Sequence, residues 1–177
     1  MKFTELRLAG AFLIELQPHA DERGFFARTF CEDEFARHGL VTRFPQNNLS
    51  RNTRAGTLRG MHYAVAPSEE TKVVRCAAGA IHDVIIDLRA GSPTQGQWVS
   101  AELTEQNGQA LYVPSGFAHG FLTLADDTDV VYQMGDVFRP ETARGLRWND
   151  PLFAVVWPRE PAVISARDAS YPDFQQA

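Results

Sequence analysis

The residues best suited to acid–base work lie in a few glycine-framed segments. Gly56-Thr57-Leu58-Arg59-Gly60-Met61-His62-Tyr63 sets an arginine three residues before a histidine. Pro114-Ser115-Gly116-Phe117-Ala118-His119-Gly120-Phe121 frames a second histidine between glycines that admit close backbone approach. Lys72 and Lys2 are the only lysines beside 15 arginines, so a compact, titratable amine stands at 72 where arginine is the usual cation. Tyr132 sits next to polar Gln133 on an alternating stretch, which suits either core packing or a phenol with a usable proton. A histidine taken singly is more often structural than catalytic, and spacing alone leaves both readings open for His62. On a regular strand Arg59 and Met61 face one way and Leu58, Gly60 and His62 the other, unless a bulge at Gly60 intervenes.

Strands must position these groups. Val84, Ile86 and Leu88 alternate with Asp83, Ile85 and Asp87, and Val130, Tyr132 and Met134 alternate with Val131 and Gln133, the period-2 signature of strands with two different faces. Turn signals recur at Ala78-Gly79, Gly91-Ser92-Pro93, Asn107-Gly108 and Pro114-Ser115-Gly116. Asn107-Gly108 predicts a tight hairpin. Short strands spaced by roughly ten residues imply an all-β sandwich or barrel rather than βαβ units. The one convincing helix is short and peripheral, Cys31 to His38, with Glu32, Asp33 and Glu34 in its first turn and Gly39 just past its end. The prolines at 151, 158, 161 and 172 predict an irregular tail wrapped around the barrel.

At 177 residues, with 44% hydrophobic and 22% charged residues, the chain is expected to fold as one domain over 1–177. Its net charge of -5 argues against a general nucleic-acid or membrane-surface binder. That charge is uneven. No Asp or Glu occurs from Phe35 to Ser68, where Arg37, Arg43, Arg51, Arg54 and Arg59 make the window +5, which suggests an anionic ligand nearby. Two cysteines, Cys31 and Cys76, outside any CxxC pattern, fit a reduced cytoplasmic setting. The apolar run Leu8 to Ile14 is too short for a membrane span and lacks a cleavage pattern. GxGxxG, GxxxxGK[ST], HExxH and GxSxG are all absent. A metal-binding cupin commonly begins its site with an HxH pair, whereas His62 is followed by Tyr63-Ala64, and His82 and His119 stand alone.

Taken together, Asp21-Glu22-Arg23-Gly24-Phe25-Phe26, Gln46-Asn47-Asn48-Leu49-Ser50, Leu58 to Tyr63, Lys72-Val73-Val74-Arg75, Asp83 to Arg89, Pro114 to Phe121, Trp148-Asn149-Asp150-Pro151 and Ser165-Ala166-Arg167-Asp168 resemble the successive blocks of the dTDP-4-dehydrorhamnose 3,5-epimerase family, in family order and over nearly the whole chain. The resemblance implies a cupin-type jelly roll (a double-stranded β-helix) with a few short peripheral helices, a homodimer, no metal and no cofactor. It implies epimerisation of a nucleotide-linked 4-keto-6-deoxyhexose at C3, C5 or both, in deoxysugar biosynthesis. A C–H beside a ketone is acidic because its carbanion delocalises into an enolate, so the reaction needs a base, an oxyanion stabiliser and an acid on the opposite face.

By match to the family motifs, His62 is the expected base, Asp168 its orienting carboxylate, Lys72 the partner of the enolate oxygen and Tyr132 the acid. Arg23, Gln46, Asn48, Arg59, His119 and Arg167 match positions that contact the substrate's sugar, diphosphate or base, and arginine suits a diphosphate because its planar fork donates parallel bonds. Arg51 and Arg54 read as ordinary surface residues. Three positions depart from the family pattern: Arg28 and Ala143 stand where glutamates are usual, and Ala64 where glutamine is usual. Arg28 is expected to make the pocket more basic, and these departures bear on which nucleotide and hexose are taken. A sugar 3,4-ketoisomerase or a silent nucleotide-sugar binder on the same scaffold are the competing readings.

Overall fold

Runs of β-branched and aromatic residues broken by Gly, Pro and Asn pair into two facing sheets in the computed structural model, which describes residues 1–175. The first sheet runs in spatial order β1 (Lys2–Glu5), β2 (Phe12–Glu15), β10 (Ala110–Val113), β7 (Lys72–Ala78), β12 (Thr128–Met134) and β5 (Gln46–Asn52). The second runs β13 (Ala143–Gly145), β6 (Thr57–Ala64), β11 (Phe117–Thr123), β8 (Ala80–Asp87) and β9 (Trp98–Thr104). These pairings are antiparallel, whereas β14 (Val163–Ile164) lies parallel to the start of β6, Val163 against Thr57. A detached ribbon of β3 (His19–Asp21) and β4 (Gly24–Phe26) belongs to neither sheet. This is the expected cupin-type jelly roll.

The core lies between the sheets, where Val74, Cys76, Leu111, Val113 and Val130 of the first meet Ile81, Ile85, Leu103, Phe117 and Phe121 of the second. Both outer faces are also covered. Ile14, Val73, Ala110 and Tyr112 pack outward against Phe35 and Leu40, with Phe3, Phe12, Phe30 and Phe44 around them. On the far side Met61, Val84, Ile86 and Ala118 pack under Leu146 and Phe153 from the C-terminal segment. Because β8 is covered on both faces, Val84, Ile85 and Ile86 are all buried, and its alternation separates two cores rather than core from water.

The expected helix forms as α1 (Glu32–Arg37), capped by Cys31 and His38, and buries Phe35 against the first sheet. Two expectations need correction. Asn107-Gly108 is not a hairpin turn: β9 and β10 lie in different sheets, so this segment is a crossover, and of the two residues only Gly108 has positive φ (59°). The Asn107 carboxamide holds the bend, accepting from the Thr104 and Gln109 amides at 3.1 and 2.9 Å. The proline-rich tail is not wholly irregular either. It adds β14 and a short helix α2 (Ala166–Ala169), whose N-cap Ser165 Oγ accepts from Asp168 N at 3.0 Å. That Ser-x-x-Asp pattern was a readable helix start. The last two residues of the expected 1–177 domain lie outside the described residues.

Candidate active site

Strand β6 does not keep simple alternation. Its pairing with β11 sets His119 opposite His62 but Phe121 opposite Arg59, so Gly120 faces a bulge at Gly60-Met61. Gly60 has φ 122°, and a Cβ there would come within 2.6 Å of Gly120 Cα and 2.8 Å of His119 O. Only a glycine pair permits this contact. The consequence is functional: Arg59 and His62 turn to the same cavity, while Leu58 and Met61 are buried away from it.

That cavity, of about 340 Å³, opens between the sheets. From the second sheet it receives Arg59, His62, Tyr63, His119 and Phe121, and from the first Asn48, Ser50, Lys72, Tyr132 and Met134. Leu49, Glu70, Phe138 and Arg167, with Ala143 and Arg144 from β13, make up the rest of the lining. His62 and Tyr132 therefore stand on opposite walls, one on β6 and the other on β12.

His62 is paired from behind by the tail. β14 runs beside β6 and delivers α2, so Asp168 Oδ1 lies 2.8 Å from His62 Nε2 and Oδ2 accepts from the Gly60 amide at 3.2 Å. The imidazole is about half exposed, with 45% of its side chain accessible against 7% for Asp168. Burial pushes the Asp168 carboxyl up, but the bond and charge of His62, the Gly60 amide and the Ser165 hydroxyl together hold it below the usual range. An ionised carboxylate only accepts, so Nε2 carries a proton, and in the neutral form of the ring it is Nδ1 that holds the lone pair. Tyr171, just past α2, stands edge-on to His62 with ring centroids 5.9 Å apart and covers Gly145, where a Cβ would come within 2.2 Å of its ring.

On the facing wall burial pushes the Tyr132 phenol above the ordinary tyrosine range, with the charge of Asp83 adding and Arg59 opposing. It therefore keeps its proton at any working pH. His119 is edge-on to Tyr132 at 6.1 Å and its Nε2 lies 2.7 Å from Asp83 Oδ1, a fully buried carboxylate. Arg59 Nε donates to Asn52 Oδ1 at 2.7 Å, and Asn52 is itself tied to the Ser50 and Thr128 carbonyls, so the guanidinium is set before any ligand arrives.

Of the residues expected in the site, His62, Lys72, Tyr132, Asn48, Arg59, His119 and Arg167 line the cavity, and Asp168 backs it. Gln46 sits one step further along β5, donating to Asn48 Oδ1 at 3.1 Å and accepting from the Phe138 amide at 3.0 Å. Arg23 is not brought there within one chain. It lies on the β3–β4 ribbon, paired with Asp21 and 83% exposed. Nor does Arg28 add charge to the cavity: it pairs at 2.7 Å with Glu34, which also binds the N-terminal ammonium. Arg51 is likewise neutralised by Asp127 and Asp129, which leaves Arg59, Arg144 and Arg167 as the cavity's arginines. Sequence reasoning missed Asp83 as a site residue. The available signal was an acid sharing the barrel-facing side of β8 with Ile81 and Ile85, where a carboxylate demands a partner. Among the described residues no group of three or more His, Cys, Asp or Glu is arranged to hold a metal, and no helix is long and apolar enough to cross a membrane.

A sequence model of the dTDP-4-dehydrorhamnose 3,5-epimerase family matches residues 5–176. A dTDP-4-dehydrorhamnose 3,5-epimerase of Sinorhizobium fredii is 42% identical over 98% of this chain and 90% of its own. Among solved structures, the dTDP-4-dehydrorhamnose 3,5-epimerase of Bacillus anthracis with TDP and pyrophosphate bound superposes with a TM-score of 0.94 at 37% identity, over 98% of this chain and 99% of that one. The dTDP-6-deoxy-D-glucose-3,5-epimerase of Legionella pneumophila, in complex with dTDP-4-keto-L-rhamnose, gives 0.91 at 36% identity over 97% and 92%.

Proposed function

This chain belongs to the dTDP-4-dehydrorhamnose 3,5-epimerase family and is an epimerase, and on that premise we propose how its own residues divide the reaction on a nucleotide-linked 4-keto-6-deoxyhexose. His62, with Nε2–H held by Asp168, takes the proton beside the ketone through Nδ1. Lys72, its side chain only 9% exposed and so weakly screened, meets the oxygen that becomes the enolate as a positive charge. Tyr132, still protonated, returns a proton to the same carbon from the other side. Imidazolium and phenolate then re-equilibrate with solvent, which restores the enzyme and carries solvent hydrogen into the product. The observation that supports this reading is the opposition of His62 and Tyr132 across the cavity, since inversion needs base and acid on different faces of one sugar ring.

Arg59, Arg144 and Arg167 are the cations for the diphosphate, with Asn48 and His119 as further polar contacts. Residues 1–177 act as one domain, in the cytoplasm, consistent with the free thiols of Cys31 and Cys76. The working form is a homodimer. The ribbon that carries Arg23 exposes Phe25 by 66% and Phe26 by 75%, more apolar surface than a short hairpin leaves in water without a partner. A second copy is the partner that would bring Arg23, otherwise remote, to a substrate.

The test is incubation of a dTDP-4-keto-6-deoxyglucose substrate with the enzyme in D₂O, read by NMR. Deuterium entering at C3, C5 or both, with inversion, is the expected result. Relocation of the ketone carbon would instead identify a ketoisomerase, and tight dTDP binding with no exchange a silent binder.

A further inference from the structure

The cavity wall holds one carboxylate, Glu70, among three arginines, a lysine and two histidines. An acid in a pocket for an anionic substrate and an enolate opposes both, so its presence calls for a specific partner. That partner is Lys72: its Nζ donates to Glu70 Oε1, and the two side chains are only 9% and 14% exposed, so water screens the pair weakly. Glu70 is not a loose loop residue. Its loop is tied down by Ser68 Oγ donating to Asp136 Oδ2 at 3.0 Å, by the Gly135 amide donating to Thr71 O at 2.7 Å and by the Val65 amide donating to Thr142 O at 3.0 Å. Ser68 and Thr71 on either side of it are buried.

We infer that Glu70 is a positioning residue that acts through Lys72, fixing the ammonium at the end of its flexible stem where the enolate oxygen forms. An ammonium has three donors in a fixed tetrahedral fan. Committing one to a carboxylate on an anchored loop restricts where the other two point, and aims them before substrate binds. A free lysine would have to give up that rotamer freedom during the reaction. Because Glu70 touches Lys72 rather than a reacting atom, its removal is felt in turnover and not in affinity for the nucleotide. The inference rests on the role given above to Lys72.

The experiment measures kcat and KM for solvent-deuterium exchange in Glu70→Ala, Glu70→Gln and Lys72→Met, with a dTDP thermal-shift titration confirming a folded, ligand-competent site in each. E70A is expected to lose about tenfold or more in kcat, the order of one charge-assisted hydrogen bond, with KM within about threefold. E70Q, whose amide oxygen still accepts from Lys72, is expected to recover most of that loss. E70A at wild-type kcat, or E70A and E70Q equally impaired, or a change confined to KM, overturns the inference, the last by making Glu70 a sugar contact. If E70A does not fold, E70S takes its place with the same outcomes. K72M exchanging at the wild-type rate would instead refute the role of Lys72 itself, so the two failures are told apart.

Discussion

Asp168→Asn is the substitution that asks most of the proposed dyad. Asp168 accepts at both oxygens, from His62 Nε2–H at 2.8 Å and from the Gly60 amide at 3.2 Å. An asparagine keeps the Gly60 bond only by turning its carbonyl there, which points its amide hydrogens at Nε2. Nε2 must then become the acceptor and the proton moves to Nδ1, the nitrogen needed as the base. Two costs add. Opposite charges about 4 Å apart interact by about 4 kcal/mol at an effective dielectric near 20, and halving this for the half-exposed imidazole leaves about 2 kcal/mol of imidazolium stabilisation lost. Breaking the wrong-tautomer bond before proton abstraction adds about 1 kcal/mol. Together about 3 kcal/mol corresponds to a fall of about 10²-fold in exchange. The assay is the initial rate of deuterium entry beside the ketone, by NMR at saturating substrate, with the dTDP thermal shift as the control for an intact site. A D168N enzyme within threefold of wild type would refute both the charge and the tautomer argument.

Other substitutions test separate links. Gly145→Ala drives a Cβ to within 2.2–2.5 Å of the Tyr171 ring, so the tail carrying Asp168 must move; we expect about 1–3 kcal/mol of lost stability in chemical denaturation and a matching drop in exchange. Asp87 is buried, and although burial alone would raise its carboxyl, bonds from Arg89, Ser92 and Thr94 hold it at about 2. A depressed acid stabilises above its unfolded value and stops doing so as pH falls, so Asp87→Asn should cost up to about 2 kcal/mol near neutrality, with the gap to wild type closing between about pH 4 and pH 2 in urea melts. The raised phenol of Tyr132 has the opposite sign. Above about pH 10 the unfolded chain releases that proton while the folded one retains it, so Tyr132→Phe should lose less stability than wild type as pH rises from 9 to 11. Arg23→Ala, on the exposed ribbon, should raise KM for the nucleotide sugar while leaving kcat near wild type, and a variant with unchanged KM would remove Arg23 from the binding surface.

Much of the barrel was readable because period-2 patterns and turn residues act locally. What escaped was decided at longer range. Asn107-Gly108 has hairpin chemistry, yet the strands it joins pair with other neighbours, and pairing depends on the whole sandwich. The tail looked irregular from its prolines, but its order comes from an eight-residue strand it lies beside, more than a hundred positions earlier in the chain. In the site, His62, Lys72 and Tyr132 were legible as residue types and their roles only through resemblance, since no spacing rule says that β6 and β12 face each other. Whether Arg59 and His62 share a side turned on the bulge at Gly60, which the sequence raised as an option and the Gly60–Gly120 contact decides. The acid-free window does supply Asn48, Arg59 and His62 to the cavity, yet Arg51 within it is spent on surface acids and Arg28 upstream on Glu34.

The claim that matters most is that base and acid work from opposite walls, and Tyr132→Phe tests it most directly when compared with His62→Ala under the same conditions. In D₂O, Y132F should still wash deuterium into the substrate beside the ketone, at the original configuration, while inverted product falls by about 10²-fold or more; H62A should lose both exchange and inversion. Inversion by Y132F at the wild-type rate, or exchange by H62A at the wild-type rate, would contradict the two-wall mechanism.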